Sequence, residues 1–172
     1  LDAMAARIAH VLVAAGCEKG DRVAVQVDKC WQALALYLAC LRAGLVYLPL
    51  NTGYQSELQY FFGDAEPRVI VCSPSRLAAV SALRPEATVL TLSADQGTLL
   101  DLARDASATF DTVVSAPDDL AAILYTSGTT GRAKGAMLTH RNLASNALTL
   151  VNEWGFTRGD VLLHALPVYH IH

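Results

Sequence analysis

Leu120–Gly135 reads LAAILYTSGTTGRAKG. Leu120–Leu124 is an unbroken apolar run, the pattern of a strand covered on both faces. It leads directly into Tyr125-Thr126-Ser127-Gly128-Thr129-Thr130-Gly131-Arg132-Ala133-Lys134-Gly135, which holds three glycines, four serine or threonine hydroxyls and two cations. Glycines let backbone N–H groups approach an anion closely. Hydroxyls donate to phosphate oxygens, and Lys134 adds a compact positive charge. Such a loop at the end of a strand is an anion cradle, placed where α/β sheets hold their ligands.

Working outward from this segment, strand-like and helix-like stretches alternate. Asp2–Ala15 carries Met4, Ile8, Val11 and Leu12 at helical spacing and is closed by Gly16. Arg22–Val27, RVAVQV, is alternating and β-branched, hence a strand. Trp31–Ala43 is a helix apolar nearly all round, which predicts burial on most sides. Val46–Leu50 is a short central strand ending at Asn51. Ser56 and Gln59 have the spacing of a capping box and open a helix over Glu57–Asp64. Arg68–Cys72 and Thr88–Leu92 are strands; Pro74–Leu83 and Gly97–Asp105 are helices. Ala103–Asp119 is polar and loop-like. The alternation predicts an α/β fold, a mostly parallel sheet with flanking helices.

Composition narrows the function classes. The 172 residues suit one domain or one lobe of a larger protein. Hydrophobic residues make up 53% and charged residues 17%, which excludes intrinsic disorder. The net charge of −3 lacks the basic surface that nucleic-acid binding requires. Trp31–Leu50 approaches the length of a membrane span, but Arg42, Gly44 and Pro49 interrupt it, so no membrane span is expected. Cys17, Cys30, Cys40 and Cys72 have no CxxC spacing and no signal peptide precedes them. Reduced, mostly buried thiols in a cytoplasmic protein are the expectation.

The loop is neither of the two commonest phosphate motifs. A Walker A loop begun at Gly128 puts Ala133 where glycine is required, and Gly135 follows Lys134 in place of Ser or Thr. The dinucleotide fingerprint G-x-G-x-x-G is absent from it. Thr126–Gly131 with Lys134 and Gly135 instead matches every fixed position of T-S-G-[ST]-[ST]-G-x-x-K-G. That pattern is the phosphate loop of the adenylate-forming (acyl-activating, AMP-binding) superfamily, which the chain resembles; Ala133 replaces the usual proline and loosens the loop. The resemblance continues through Gly20–Val25 (GDRVAV) and Leu41–Asn51 (LRAGLVYLPLN), in the right order and spacing. Gly135–Asn146 and His164–His172 (HALPVYHIH) are most similar to the malonate-activating members, the malonyl-CoA synthetases.

This resemblance implies that residues 1–172 form the front part of the large N-terminal domain of an ATP-dependent acyl-CoA synthetase. Its substrates would be a small carboxylic acid, malonate, together with ATP and coenzyme A, with Mg²⁺ as cofactor. Thr126, Ser127, Gly128, Thr129, Thr130, Gly131 and Lys134 would bind the ATP phosphates, and Thr129 would be a candidate Mg²⁺ contact. Tyr169, His170 and His172 would wall the carboxylate pocket, and His140 would cap a helix. His170 and His172 lie on one face of a strand, yet no Cys or acid stands near them in sequence to complete a zinc site.

The family's acidic metal-binding motif, its ribose-binding Asp and its catalytic lysine are absent up to His172. The expectation is therefore a chain inactive alone, without the C-terminal lid domain, that self-associates through exposed sheet surface. The alternatives are another acyl-CoA ligase, a carrier-protein adenylation domain, or a truncated non-catalytic module.

Overall fold

In the computed structural model, residues 1–126 and 132–169 are described. The elements run α1 (Asp2–Ala14), β1 (Arg22–Gln26), α2 (Trp31–Arg42), β2 (Val46–Pro49), α3 (Leu58–Ala65), β3 (Val69–Cys72), a 3-10 turn (Pro74–Arg76), α4 (Leu77–Leu83), β4 (Thr88–Thr91), α5 (Thr98–Arg104), β5 (Leu120–Thr126), β6 (Lys134–Thr139) and α6 (His140–Trp154). The strands form one sheet in the order β4-β3-β1-β2-β5-β6. The first five are parallel, and β6 returns antiparallel to β5. The expected α/β fold with a mostly parallel sheet is observed.

The period of two along each strand divides the core into two layers. Val23, Val25, Val69 and Val71 point to one face and pack with Ile8 and Leu12 of α1, Leu36 and Ala39 of α2, and Leu99 of α5. Ala24, Leu48 and Ile70 point to the other, against Leu58, Phe61 and Phe62 of α3 and Val80 of α4. Covering both faces makes the inner strands wholly apolar, as βαβ packing requires. Gln26, the last residue of β1, is 1% exposed; its Nε2 donates to the carbonyls of Asn51 and Tyr54 at 2.9 Å. Gly16 closes α1 at φ +85°, a conformation that favours glycine.

Three expectations are corrected. Ser56 does not cap α3: its hydroxyl donates to Glu57 Oε2, and α3 begins without a side-chain cap. His140 is the first residue of α6, and the cap is Thr139, whose hydroxyl accepts from the Asn142 N–H while Asn142 Oδ1 accepts from the Thr139 N–H. Helix α2 is buried on most sides as expected, with Trp31 and Leu34 as its exposed residues. In β5 only Ala121 and Ala122 are buried, because β6 and α6 beyond it contribute no buried residue.

No helix among the described residues is long and apolar enough to cross a membrane. All four cysteines are free thiols, with Cys17, Cys40 and Cys72 buried.

Candidate functional site

The segment read first as one loop is the tip of a hairpin. β5 and β6 pair Leu124 with Ala136, Tyr125 with Gly135 and Thr126 with Lys134. Thr126 and Lys134 thus face each other across the mouth, both exposed. Thr126 Oγ1 lies 3.5 Å from the Lys134 carbonyl, the long limit of a hydrogen bond. The strand Lys134–Thr139 was not anticipated, because KGAMLT has a glycine at its second position and no apolar alternation at its start. Ser127, Gly128, Thr129, Thr130 and Gly131 lie outside the described residues, as do His170 and His172.

Gly135 belongs to the strand and not to the cradle. A Cβ there would lie 2.9 Å from Ile123 Cγ2 and 3.5 Å from Tyr125 Cε1. The glycine is required by close packing across the hairpin.

Helix α3 holds both flanks of the loop. Tyr125 donates its hydroxyl to Asp64 Oδ2 at 2.5 Å, and its ring lies 4.3 Å from that of Phe61. Burial raises the Tyr125 phenol above its usual pKa, and the Asp64 carboxylate adds to the shift. On the opposite flank Tyr60 donates to the Ala133 carbonyl at 3.0 Å. The Arg132 guanidinium lies 5.4 Å from the centre of the Tyr60 ring, within cation–π range. The chain end that lacks the usual proline is therefore tethered through Ala133. Sequence reading missed Tyr60 and Asp64; the available signal was their i, i+4 spacing, which puts them on one face of α3.

The hairpin mouth lies at the carboxyl end of β5, and hence on the same edge as the carboxyl ends of β1 and β2. Tyr169 stands on this edge too. It lines a cavity of about 200 Å³ with Val27, Lys29 and Thr52, which follow β1 and β2. Lys29 Nζ donates to the carbonyls of His164 and Leu166, fastening the C-terminal segment to this edge. A neighbouring apolar cavity of about 190 Å³ is bounded by Tyr37, Tyr47, Leu124, His164 and Val168. The structure therefore brings Thr126, Lys134 and Tyr169 to one edge of the sheet. Hydroxyl, lysine and glycine-rich backbone suit a polyphosphate. Among the described residues no three His, Cys, Asp or Glu side chains come together to hold a metal.

The AMP-binding enzyme family matches residues 1–172. The crystal structure of ATP-bound MatB from Rhodopseudomonas palustris is 59% identical, with a TM-score of 0.95, over 98% of this chain and 34% of that one. The mitochondrial malonate–CoA ligase ACSF3 of Xenopus laevis is 37% identical over 79% of this chain and 25% of its own length. A probable CoA ligase, CCL9, of Humulus lupulus is 30% identical over 95% of this chain and 33% of its own. The chain thus spans a quarter to a third of these relatives.

Proposed function

The chain belongs to the AMP-binding enzyme family, and from that membership we propose that the protein carrying it is an acid–thiol ligase that activates malonate with ATP and transfers it to coenzyme A. The observation that carries the reading is the hairpin mouth, where Thr126 and Lys134 stand paired at the two ends of the hydroxyl- and glycine-rich loop. The likeness to an ATP-bound structure supports ATP. The name of the Xenopus relative supports malonate.

In the first half-reaction a carboxylate oxygen of the acid bonds to the α-phosphorus of ATP. The bond to the bridging oxygen breaks and pyrophosphate leaves. In the second, the coenzyme A thiol attacks the acyl carbon, AMP departs with the bonding electrons, and the thiol proton passes to solvent. Thr126, Ser127, Thr129, Thr130 and Lys134, with the backbone of Gly128 and Gly131, hold the phosphates and stabilise the charge that develops on them. Mg²⁺, when bound, would neutralise polyphosphate charge, and Thr129 would be this chain's contact for it. Tyr169, His170 and His172 would serve the acid pocket, with His170 as the partner of the substrate carboxylate.

We take residues 1–172 as part of the N-terminal domain, with the lid domain and its lysine contributed by sequence outside them. By themselves these residues do not catalyse the reaction. They self-associate through exposed sheet surface, which includes Met137 of β6 at 65% exposure. The free thiols accord with a cytoplasmic setting.

The test is malonate-dependent exchange of labelled pyrophosphate into ATP. The full-length protein is expected to catalyse it and the 172-residue chain is not. A full-length protein that exchanges with no short carboxylic acid would overturn the reading.

A further inference from the structure

We propose that α3 is a positioning clamp for the glycine-rich loop, with Tyr60 and Asp64 setting the separation of its two ends and thereby the affinity for a polyphosphate ligand; that this ligand is ATP rests on the function proposed above. The two tethers come from one helix and reach opposite flanks. Asp64 accepts from Tyr125, one residue before Thr126. Tyr60 donates to Ala133, one residue before Lys134, while its ring faces Arg132. Four residues of helix separate the tethers by about 6 Å along the axis, a spacing that backbone hydrogen bonds fix.

The helix is itself immobilised. Leu58, Phe61 and Phe62, on its inner face, are 3%, 1% and 1% exposed. The clamp therefore stands on the core and not on the hairpin, whose outer strand β6 ends the sheet. The Tyr125–Asp64 bond is short and charge-assisted, which makes it the stronger tether. Tyr60 reads two consecutive residues at once, one through its ring and one through its hydroxyl.

Ordering a glycine-containing loop around an anion costs conformational entropy. Fixing both ends beforehand removes part of that cost before the ligand arrives. The clamp should therefore act on the ATP step and leave the acid pocket unaffected, since none of Tyr60, Asp64 and Tyr125 lines the cavity that Tyr169 bounds. Tyr60 and Asp64 are positioning residues, since neither side chain reaches the paired side chains of the mouth.

The variants are Tyr60→Phe, Asp64→Asn, Tyr125→Phe and the double variant Asp64→Asn/Tyr125→Phe, all in the full-length protein. Each removes a hydrogen bond while keeping the ring or the volume. Trypsin cleavage after Arg132 and Lys134 reports the loop directly, without reference to activity. Cleavage should accelerate about 3- to 10-fold with an unchanged urea midpoint, and the ATP KM should rise by a similar factor while the malonate KM stays constant. The double variant should be no worse than the more affected single variant, because the two residues share one bond.

Cleavage rates and ATP KM values within twofold of the parent in every variant would overturn the clamp. So would faster cleavage with an unchanged ATP KM, or a malonate KM that rises equally. A lowered urea midpoint would reduce the effect to general stability and overturn it too. If the unsubstituted protein shows no ATP-dependent reaction, the function proposed above fails, and cleavage alone decides whether α3 clamps the loop.

Discussion

Gly135 lies so close to Ile123 across the β5–β6 hairpin that a single added carbon would sit 2.9 Å from Ile123 Cγ2. That is shorter than any comfortable contact, and the neighbour is a branched side chain with little freedom in a strand. Gly135→Ala should therefore destabilise the protein by about 1–3 kcal/mol, the usual range for overpacking. Alanine would otherwise stabilise a strand slightly through the unfolded chain. Urea denaturation decides the sign, and a neutral or stabilising result would show that Ile123 can give way.

Lys134→Ala should leave the fold unchanged, because the side chain is exposed on the outer strand. Acyl-adenylate formation by the full-length protein should fall by about 10²- to 10³-fold, the typical effect of removing one stabiliser of developing charge. Pyrophosphate exchange measures this. Unchanged exchange would remove Lys134 from the phosphate site.

Substitution of Tyr169 should change which carboxylic acid is accepted while sparing the ATP KM. Its cavity opens beside Val27 and Thr52, on the β1–β2 side of the hairpin. Exchange assays across acids of increasing length test this, and a uniform loss for all of them would argue against a specificity role.

Cys17 and Cys72 are pushed up to about 11 by burial, and Cys40 is raised further by the same cause. A raised thiol pKa keeps the unreactive protonated form dominant well above neutrality. At about pH 8 a thiol reagent should modify Cys30, the only one of the four that is not buried, ahead of the other three. The remaining thiols should react once urea unfolds the chain. Rapid modification of all four in the native protein would contradict their placement.

Asp119 is held below the usual carboxylate range, first by its hydrogen bond from Lys19 and then by the Ala116 N–H. A lowered folded pKa contributes stability above the unfolded value, and that contribution is lost as pH falls through the folded value. Asp119→Asn should therefore weaken the protein at neutral pH and flatten its loss of stability below about pH 4. Thermal unfolding between neutral and acid pH checks this; a parallel decline in both proteins would exclude the linkage.

Much of the architecture is written in local pattern. Valine alternation in Arg22–Gln26 and Val69–Cys72, and helical spacing in Asp2–Ala14, each follow from backbone geometry acting over a few residues. The glycine, hydroxyl and lysine content of Thr126–Lys134 likewise states its chemistry without any fold. Where local signals competed, they misled. Ser56 offered a cap that the chain does not use, and Gly135 read as part of a cradle because no sequence pattern reveals an Ile123 methyl group approaching from the opposite strand.

The strand order, the return of β6 along β5 and the grip of α3 on the loop are of another kind. Asp64 and Tyr125 are 61 residues apart, and Tyr60 and Ala133 are 73 apart. Such contacts exist only after the crossover connections have stacked α3 against the sheet and loop-closure entropy has been overcome. Residue type and spacing thus specify a phosphate loop at the end of a strand. Packing of distant elements decides that both its ends are held, and by which side chains, because hydrogen bonds between remote residues depend on the folded arrangement and leave no periodic trace in the chain.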